Sequence, residues 1–378
     1  MNKISNTGNH EFVKSRMRSI DALRGFDMFW IMGIGVAVTQ FATIQDTPFW
    51  AQFALQFSHP YWDGFTFWDM IFPLFMFISG LTSPFSIDKQ LESGRSRKQI
   101  VWKIVKRGFI LILLGVIFNT RSLELRDLSE YRYASVLGKI GASYVFANIL
   151  YIYTKGKIKP MIFWYSFLLI GYWLLLKFTS APGFPMGDLT EEGNFMSYFD
   201  RLFLPGVLSR GIHDTVGMLN IITGTATTLS GVIAGYFLKK HPATPIKKVI
   251  WFLIIGAGMI LLALLWSIDF PVNKNLWSSS FTLLTGGISL ILFSLFYYVI
   301  DVKGYYKWSF FFTVIGINSI FIYVSPIFIN YAYTGNTLFN WLGQLSGAYA
   351  APVLTLCSVL VKWLLLYFMY KKKIFIKI

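Results

Sequence analysis

The sequence predicts an all-α, polytopic integral membrane helical bundle of about ten transmembrane helices, with both termini in the cytoplasm. Its 378 residues are 55% hydrophobic and 19% aromatic but only 14% charged. A soluble fold of this composition would expose much of its apolar surface to water. Several apolar runs also approach the roughly 20 residues that cross ~30 Å of hydrocarbon. The third observation is the distribution of Lys and Arg along the chain.

Hydropathy defines the predicted spans in chain order. We expect a cytoplasmic tail over 1–22, one transmembrane domain over 23–370 and a basic cytoplasmic tail over 371–378. The tail has no apolar core before Leu23, so we predict no cleaved signal peptide. The predicted spans are 28–43, 66–86, 104–119, 133–153, 161–178, 216–238, 249–268, 277–300, 309–330 and 348–370.

Charge predicts how these spans are oriented. With a cytoplasmic N-terminus, the inward segments carry 25 of the 34 Lys and Arg residues and the outward loops carry 6. This asymmetry follows the positive-inside rule. The net charge of +16 therefore indicates topology and anionic lipid, and we predict no nucleic-acid partner. The longest outward loop, about 179–215, is rich in Pro, Gly and acidic residues, which is typical of a lid or a substrate mouth.

Cysteine and motif content exclude several classes of site. The single Cys357 lies in the last predicted span, so the sequence offers neither a disulfide framework nor a cysteine metal site. Zinc-protease, Walker and dinucleotide-binding patterns are absent from any usable context. We therefore predict no bound metal.

Polar residues inside spans are costly and usually face a cavity or one another. Asp69 lies in the second predicted span, Lys139 about two turns inside the fourth from its outer end, and Asn318 at the centre of the ninth. A lysine at that depth needs an anion, water or a ligand. The sixth span is dense in Thr, Ser, Gly and Asn, which indicates either a polar cavity or close helix packing.

His59 is the leading candidate for chemistry, because it lies where a predicted span meets water. Asp63 or Asp69 could fix its tautomer, as a base requires. An interfacial histidine can equally be a helix-end or lipid-facing residue. Trp62 nearby is suited to stacking on a sugar, although interfacial aromatic belts have the same composition.

The motif from His59 to Pro73 (HPYWDGFTFWDMIFP) resembles the H-x-x-W-[ND]-G-x-T-x-x-D-x-x-F-P signature of the heparan-alpha-glucosaminide N-acetyltransferase family. RSIDALRG, from Arg18 to Gly25, is similar to that family's R-S-x-D-x-x-R-G. Further similarity follows in collinear order over nearly the whole chain, in RYASVLGKIG, PGFPMGDLTEEGN, YFDRLFLPG, PVNKNLWS and KKKIFIKI.

This resemblance implies transmembrane acetylation, in which cytoplasmic acetyl-CoA supplies an acetyl group to an amino sugar or glycan on the outer side. It implies that His59 is the catalytic residue, with Asp69 and Asp63 beside it, and that the protein is a homodimer. It further implies a bacterial-type enzyme of the inner membrane, without the luminal domain of eukaryotic members, and with His59 facing the periplasm or exterior. The chain departs from that family at Gly35, where eukaryotic members carry asparagine, and in the Ser325-Pro326 region, where some members carry histidine.

The predicted topology assigns further residues to the two substrates. Basic groups at the inner mouth suit the phosphates of acetyl-CoA, although they also serve as ordinary positive-inside anchors. Near the outer mouth, a lysine and amides suit the acceptor or the thioester oxygen, with loop capping and snorkelling as the alternatives. The predicted donor-binding residues are Arg18, Arg24, Lys106, Arg107 and Lys139. The predicted acceptor-binding residues are Trp62, Asp214, Asn273, Lys274, Asn275 and Asn318.

Two mechanisms and a rival function remain open from the sequence. His59 either accepts a proton during direct attack on the thioester or is itself acetylated first. A transporter or flippase of a glycan or lipid-linked sugar would use the same polar cavity without acyl chemistry. The outer acids Glu191, Glu192, Asp200 and Asp214 favour a cationic or polyhydroxylated sugar over a sulfated chain.

Overall fold

The computed structural model describes residues 17–120 and 127–376, and these residues form helices joined by loops. An isolated bridge between Arg132 and Gly206 is their sole β-type pairing. The all-α prediction is confirmed. Residues 1–16 and 377–378 of the two predicted tails lie outside the described residues. The helices are α1 (Arg18–Gln45), α2 (Pro48–Leu55), α3 (Phe67–Glu92), α4 (Arg97–Thr120), α5 (Val136–Tyr153), α6 (Ile158–Lys177), α7 (Phe195–Phe203), α8 (Ile221–Lys240), α9 (Pro245–Trp266), α10 (Ser279–Val302), α11 (Phe310–Ile317), α12 (Ser319–Ile327), α13 (Tyr331–Leu345) and α14 (Gly347–Lys371).

In the described part of the chain, eight helices are long and apolar enough to cross a membrane, or nine if the bent pair α11 and α12 forms one span. The protein is thus a polytopic helical membrane protein. The third predicted span, 104–119, lies within α4. This helix has 24 residues, which extend ~36 Å at 1.5 Å per residue. It is long enough to cross a membrane but is not among the eight helices, because it carries the charges of Lys103, Lys106 and Arg107 in its first half.

The ninth predicted span is broken, which the sequence did not predict. A bend of 73° separates α11 from α12, and Asn318 lies at the break. Its amide nitrogen donates to Ile374 O at 3.0 Å and its amide oxygen accepts from Ile376 N at 3.0 Å. The helix break is therefore tied to the chain beyond α14.

Close packing between α3 and α8 explains the small residues of the sixth predicted span. A Cβ on Gly231 would lie 2.0 Å from Phe77 O, and one on Gly80 would lie 2.0 Å from Thr228 O. The two backbones meet because neither glycine carries a side chain, as is usual where membrane helices pack. The packing interpretation of this span accounts for its glycines.

Candidate active site

His59 lies in the irregular segment between α2 and α3, beside the first turn of α3. Thr66 caps that turn: its backbone N donates to Asp69 Oδ2 at 3.0 Å, and its hydroxyl donates to Ser58 O at 2.6 Å. The other oxygen of this carboxylate, Oδ1, lies 2.6 Å from His59 Nδ1. The Asp69 side chain is fully buried, whereas that of His59 is 41% exposed. Asp69 therefore both caps α3 and holds the imidazole.

Lys274, on the loop between α9 and α10, completes the cluster. Its Nζ lies 2.8 Å from His59 Nε2 and 3.0 Å from Nδ1, and 3.5 Å from Asp69 Oδ1. Burial lowers the pKa of the Lys274 amine to about 8, against the opposing effect of the Asp69 carboxylate. A histidine, a carboxylate and an amine thus share one contact region, which we call the His59 cluster.

A tight turn fixes Lys274 in place. Asn273 Oδ1 accepts from Leu276 N at 2.8 Å, and Asn273 O accepts from Ser278 N at 3.1 Å. Trp277 takes a left-handed backbone with a φ of 53°, and its buried indole donates to Thr227 Oγ1 on α8 at 3.0 Å. The loop is therefore anchored to the bundle on both sides of Lys274.

The two asparagines beside Lys274 serve this loop. Asn273 Nδ2 donates to Asp63 Oδ1 at 3.0 Å, and Asn275 Nδ2 donates to Tyr61 O at 3.3 Å. Both bonds join the loop to the segment that carries His59. Asp63, which the sequence offered as an alternative partner of His59, is exposed and bonds Asn273 instead; Asp69 is the histidine's partner.

An apolar cavity of about 200 Å³ opens next to the cluster. His59 and Lys274 line it, together with Met28 and Ile31 of α1. The other lining residues come from α3, α5 and α12, and they are Trp68, Ile71, Phe72, Phe75, Val136, Leu137, Ile140, Ile320 and Tyr323. The two most polar groups of this cavity are those of the cluster.

The loop that follows α6 covers the segment around His59 through paired contacts. Tyr61 OH donates to Glu191 Oε2 at 2.7 Å, and the Trp62 indole donates to Leu189 O at 2.9 Å. Glu191 Oε1 also lies 3.0 Å from Nδ1 of buried His213, whose pKa is lowered by burial. Trp62 therefore holds the loop, and its ring packs edge-on against that of His213 at 5.1 Å.

Asp214 is held in place by hydrogen bonds from Arg132 and from the backbone. Arg132 donates to both of its oxygens, at 2.8 and 2.9 Å, and Ser209 N and Val216 N donate to the same carboxylate. Sequence reasoning did not pair Arg132 with Asp214, because the two residues are 82 positions apart along the chain. Burial raises the pKa of nearby Asp200 to about 7.

The predicted donor-binding residues make separate contacts. Arg18 lies over the Tyr306 ring at 4.1 Å, Arg24 lies 3.5 Å from Asp21, and Arg107 NH1 donates to Tyr144 OH at 3.3 Å. These contacts agree with the anchoring alternative and leave phosphate binding a prediction. Lys106, on α4, is exposed.

Lys139 differs from its predicted position, and Asn318 lies at the centre of the ninth predicted span, where that span is broken. Because α5 begins at Val136, Lys139 lies in its first turn and not two turns inside. Its amine is buried, has no hydrogen-bond partner among residues 17–120 and 127–376, and lies 3.5 Å above the Trp277 ring. Lys139 therefore contacts the loop that carries Lys274 and lies away from Arg18 and Arg24 at the start of α1. Asn318 uses its amide to bind the chain after α14, so its geometry does not support acceptor binding.

These features define a polytopic helical membrane protein with a carboxylate, histidine and lysine cluster beside an apolar cavity. No family model matches the chain. It is 28% identical to heparan-alpha-glucosaminide N-acetyltransferase of Homo sapiens over 96% of this chain, and 28% identical to the Mus musculus protein of the same name over 97%. The chain spans 60% and 62% of the lengths of these two relatives. Both relatives carry the name of the family that the motifs of this chain resemble, which supports that resemblance.

Proposed function

We propose that this protein is a transmembrane acetyltransferase that transfers an acetyl group from cytoplasmic acetyl-CoA to an amino sugar or glycan on the opposite side. The names of the two relatives support the reaction class. The observation that carries the proposal is the His59 cluster, in which a base, a group that orients it and a cation meet beside an apolar cavity.

In the direct mechanism, Nδ1–H of neutral His59 donates a hydrogen bond to Asp69, which leaves Nε2 as the basic nitrogen. The acceptor amine attacks the thioester carbonyl carbon while Nε2 takes the proton that the amine loses. The carbon–sulfur bond then breaks, and the CoA thiolate receives that proton from the imidazolium. The products are the N-acetylated sugar and free CoA.

Lys274 has a role in the same step. Its amine lies 2.8 Å from Nε2, so an acceptor that bonds Nε2 would displace it toward the reacting carbonyl. A protonated Lys274 would there donate to the oxygen that becomes negative in the tetrahedral intermediate. Preorganised donors of this kind are commonly the largest contribution to acyl transfer.

The cavity suits the donor's reacting end. Met28, Phe72 and Phe75 are apolar walls, which match an uncharged thioester arm better than its phosphates. The phosphates would remain at the inner mouth, where Arg18 and Arg24 begin α1.

The covalent mechanism would use the same Nε2 as the acetyl acceptor. It would be detected as one added acetyl group on the His59 peptide when acetyl-CoA alone is supplied.

The acceptor is proposed as a simple amino sugar or glycan terminus. Asp63 and Glu192 are exposed acids at this end of the bundle, and they would repel a sulfated chain while attracting a cationic amine. Asp214 and Glu191 are already paired. The homodimer, the inner-membrane location and the outward-facing His59 stay predictions.

The test is acetylation of glucosamine by the purified protein, followed both by release of the CoA thiol and by detection of the acetylated sugar. The variant His59→Ala should lower the rate at least ~100-fold, which is the usual contribution of a general base. His241→Ala is the matched control, because His241 lies beyond α8 at the opposite end of the bundle and should leave the rate unchanged. Near wild-type activity of His59→Ala would contradict the assignment. Uptake of unmodified sugar without thiol release would support a transporter.

A further inference from the structure

A second cavity lies at the end of the bundle opposite His59. It measures about 440 Å³ and lies between the ends of four helices. Because α3 runs 26 residues from Phe67 to Glu92, its two ends are ~39 Å apart at 1.5 Å per residue. The cavity's lining residues are Ile87, Asp88, Leu91, Glu92, Arg97, Tyr151, Ile152, Lys155, Gly156, Tyr236 and Lys240. None of them lines the cavity beside His59.

The charges of this cavity are unbalanced. Asp88 is neutralised by neighbours: Lys239 Nζ lies 2.9 Å from its Oδ2, and Tyr151 OH donates to its Oδ1 at 2.7 Å. Arg97 and Lys155 line the cavity and have no acidic partner within 4.0 Å among the described residues. Their positive charges are therefore available to a ligand, with Glu92 as the remaining exposed acid.

The walls combine these cations with apolar and aromatic surface. Ile87, Leu91 and Ile152 line the cavity, as do Tyr151 and Tyr236. Arg97 and Lys155 beside this apolar surface fit a phosphate group attached to a carbon chain or ring. Basic pockets between transmembrane helices on the cytoplasmic side bind anionic headgroups by this chemistry, and Arg in particular forms bidentate bonds to phosphate.

We propose that this cavity is a binding site for a phosphate-bearing ligand, held by Arg97 and Lys155. Such a ligand would join the ends of α3, α4, α5 and α8 and would stabilise the folded bundle by binding it in preference to the unfolded chain. This inference does not depend on the acetyl-transfer proposal, since the site is separate from the His59 cluster.

The test compares two double variants in detergent: Arg97→Gln with Lys155→Gln, and Lys98→Gln with Lys159→Gln. Lys98 and Lys159 are exposed at the same end of the bundle but do not line the cavity, so the second pair is matched in charge. Thermal unfolding is followed while phosphatidylglycerol, phosphatidylcholine or inorganic phosphate is added. We expect the wild type and the Lys98/Lys159 variant to be stabilised at the same concentration of the phosphate-bearing probe. The Arg97/Lys155 variant should need at least ~10-fold more, as expected when two charge-assisted contacts are lost.

The probes distinguish the source of the phosphate. Stabilisation by phosphatidylglycerol alone would identify a lipid headgroup, and stabilisation by inorganic phosphate as well would identify a soluble ligand. Equal responses of the two double variants to every probe would overturn the proposal, because surface charge alone would then explain binding.

Discussion

The ammonium group of Lys274 gives the proposed reaction a pH dependence. Its pKa is lowered to about 8, so the amine is charged below that pH and loses its proton above it. If the charged form stabilises the reacting carbonyl oxygen, kcat/KM for acetyl-CoA should fall above pH 8. Lys274→Arg keeps its charge at high pH, so its decline should move to higher pH, while Lys274→Met should be slow throughout.

The measurement is kcat/KM for acetyl-CoA between pH 6 and 10 at saturating glucosamine. This quantity reports the pKa values of groups in the enzyme before acetyl-CoA binds. Lys307→Arg provides a control substitution at an exposed lysine far from the cluster. If kcat/KM of Lys274→Arg fell at the same alkaline pH as that of the wild type, a group other than Lys274 would be responsible for the fall.

The residues of the cluster differ in how far the sequence predicts them. His59 and Asp69 are 10 residues apart, within one motif, so their proximity is expected. Spacing alone did not decide whether Asp69 or Asp63 is the partner of His59. That choice depends on the path of the irregular backbone between α2 and α3. The contact of Lys274 with His59 spans 215 residues, and no local pattern encodes which side chain of the Asn-Lys-Asn run turns toward the histidine.

At the scale of elements, glycine contacts hold α3 against α8. Gly231→Leu would force these backbones apart, because even its Cβ would lie 2.0 Å from Phe77 O. Overpacking of this kind costs roughly 1–3 kcal/mol or more. We therefore expect a lower thermal unfolding midpoint in detergent. Gly258→Leu on α9 is the matched control, because a Cβ there meets no atom within 4 Å; an equal loss of stability in the two variants would contradict this account.

Helix positions followed from hydropathy, because a span must satisfy its backbone hydrogen bonds internally and carry an apolar surface. Each of the ten predicted segments overlaps a helix, although 133–135 and 216–220 lie in loops. The break at Asn318 did not follow, since it depends on bonds to Ile374 and Ile376, which are 56 and 58 residues away. Helix α13 was also missed, because its mixed composition resembles a loop.

For the whole molecule, the charge asymmetry predicts which end of the bundle faces outward. In the structure, Gln56 lies at the His59 end, since Trp68 N donates to its carbonyl oxygen at 2.9 Å, and Ser93 follows α3 at the other end. With Cys357 replaced by Ser, a cysteine at Gln56 or Glu192 should react with an impermeant thiol reagent added to intact cells. A cysteine at Ser93 should react only after the membrane is opened, although all three positions are exposed. If Ser93→Cys were the one variant of the three labelled in intact cells, the protein would have the opposite orientation. The His59 cluster would then face the cytoplasm, where acetyl-CoA is, and no transfer across the membrane would be needed.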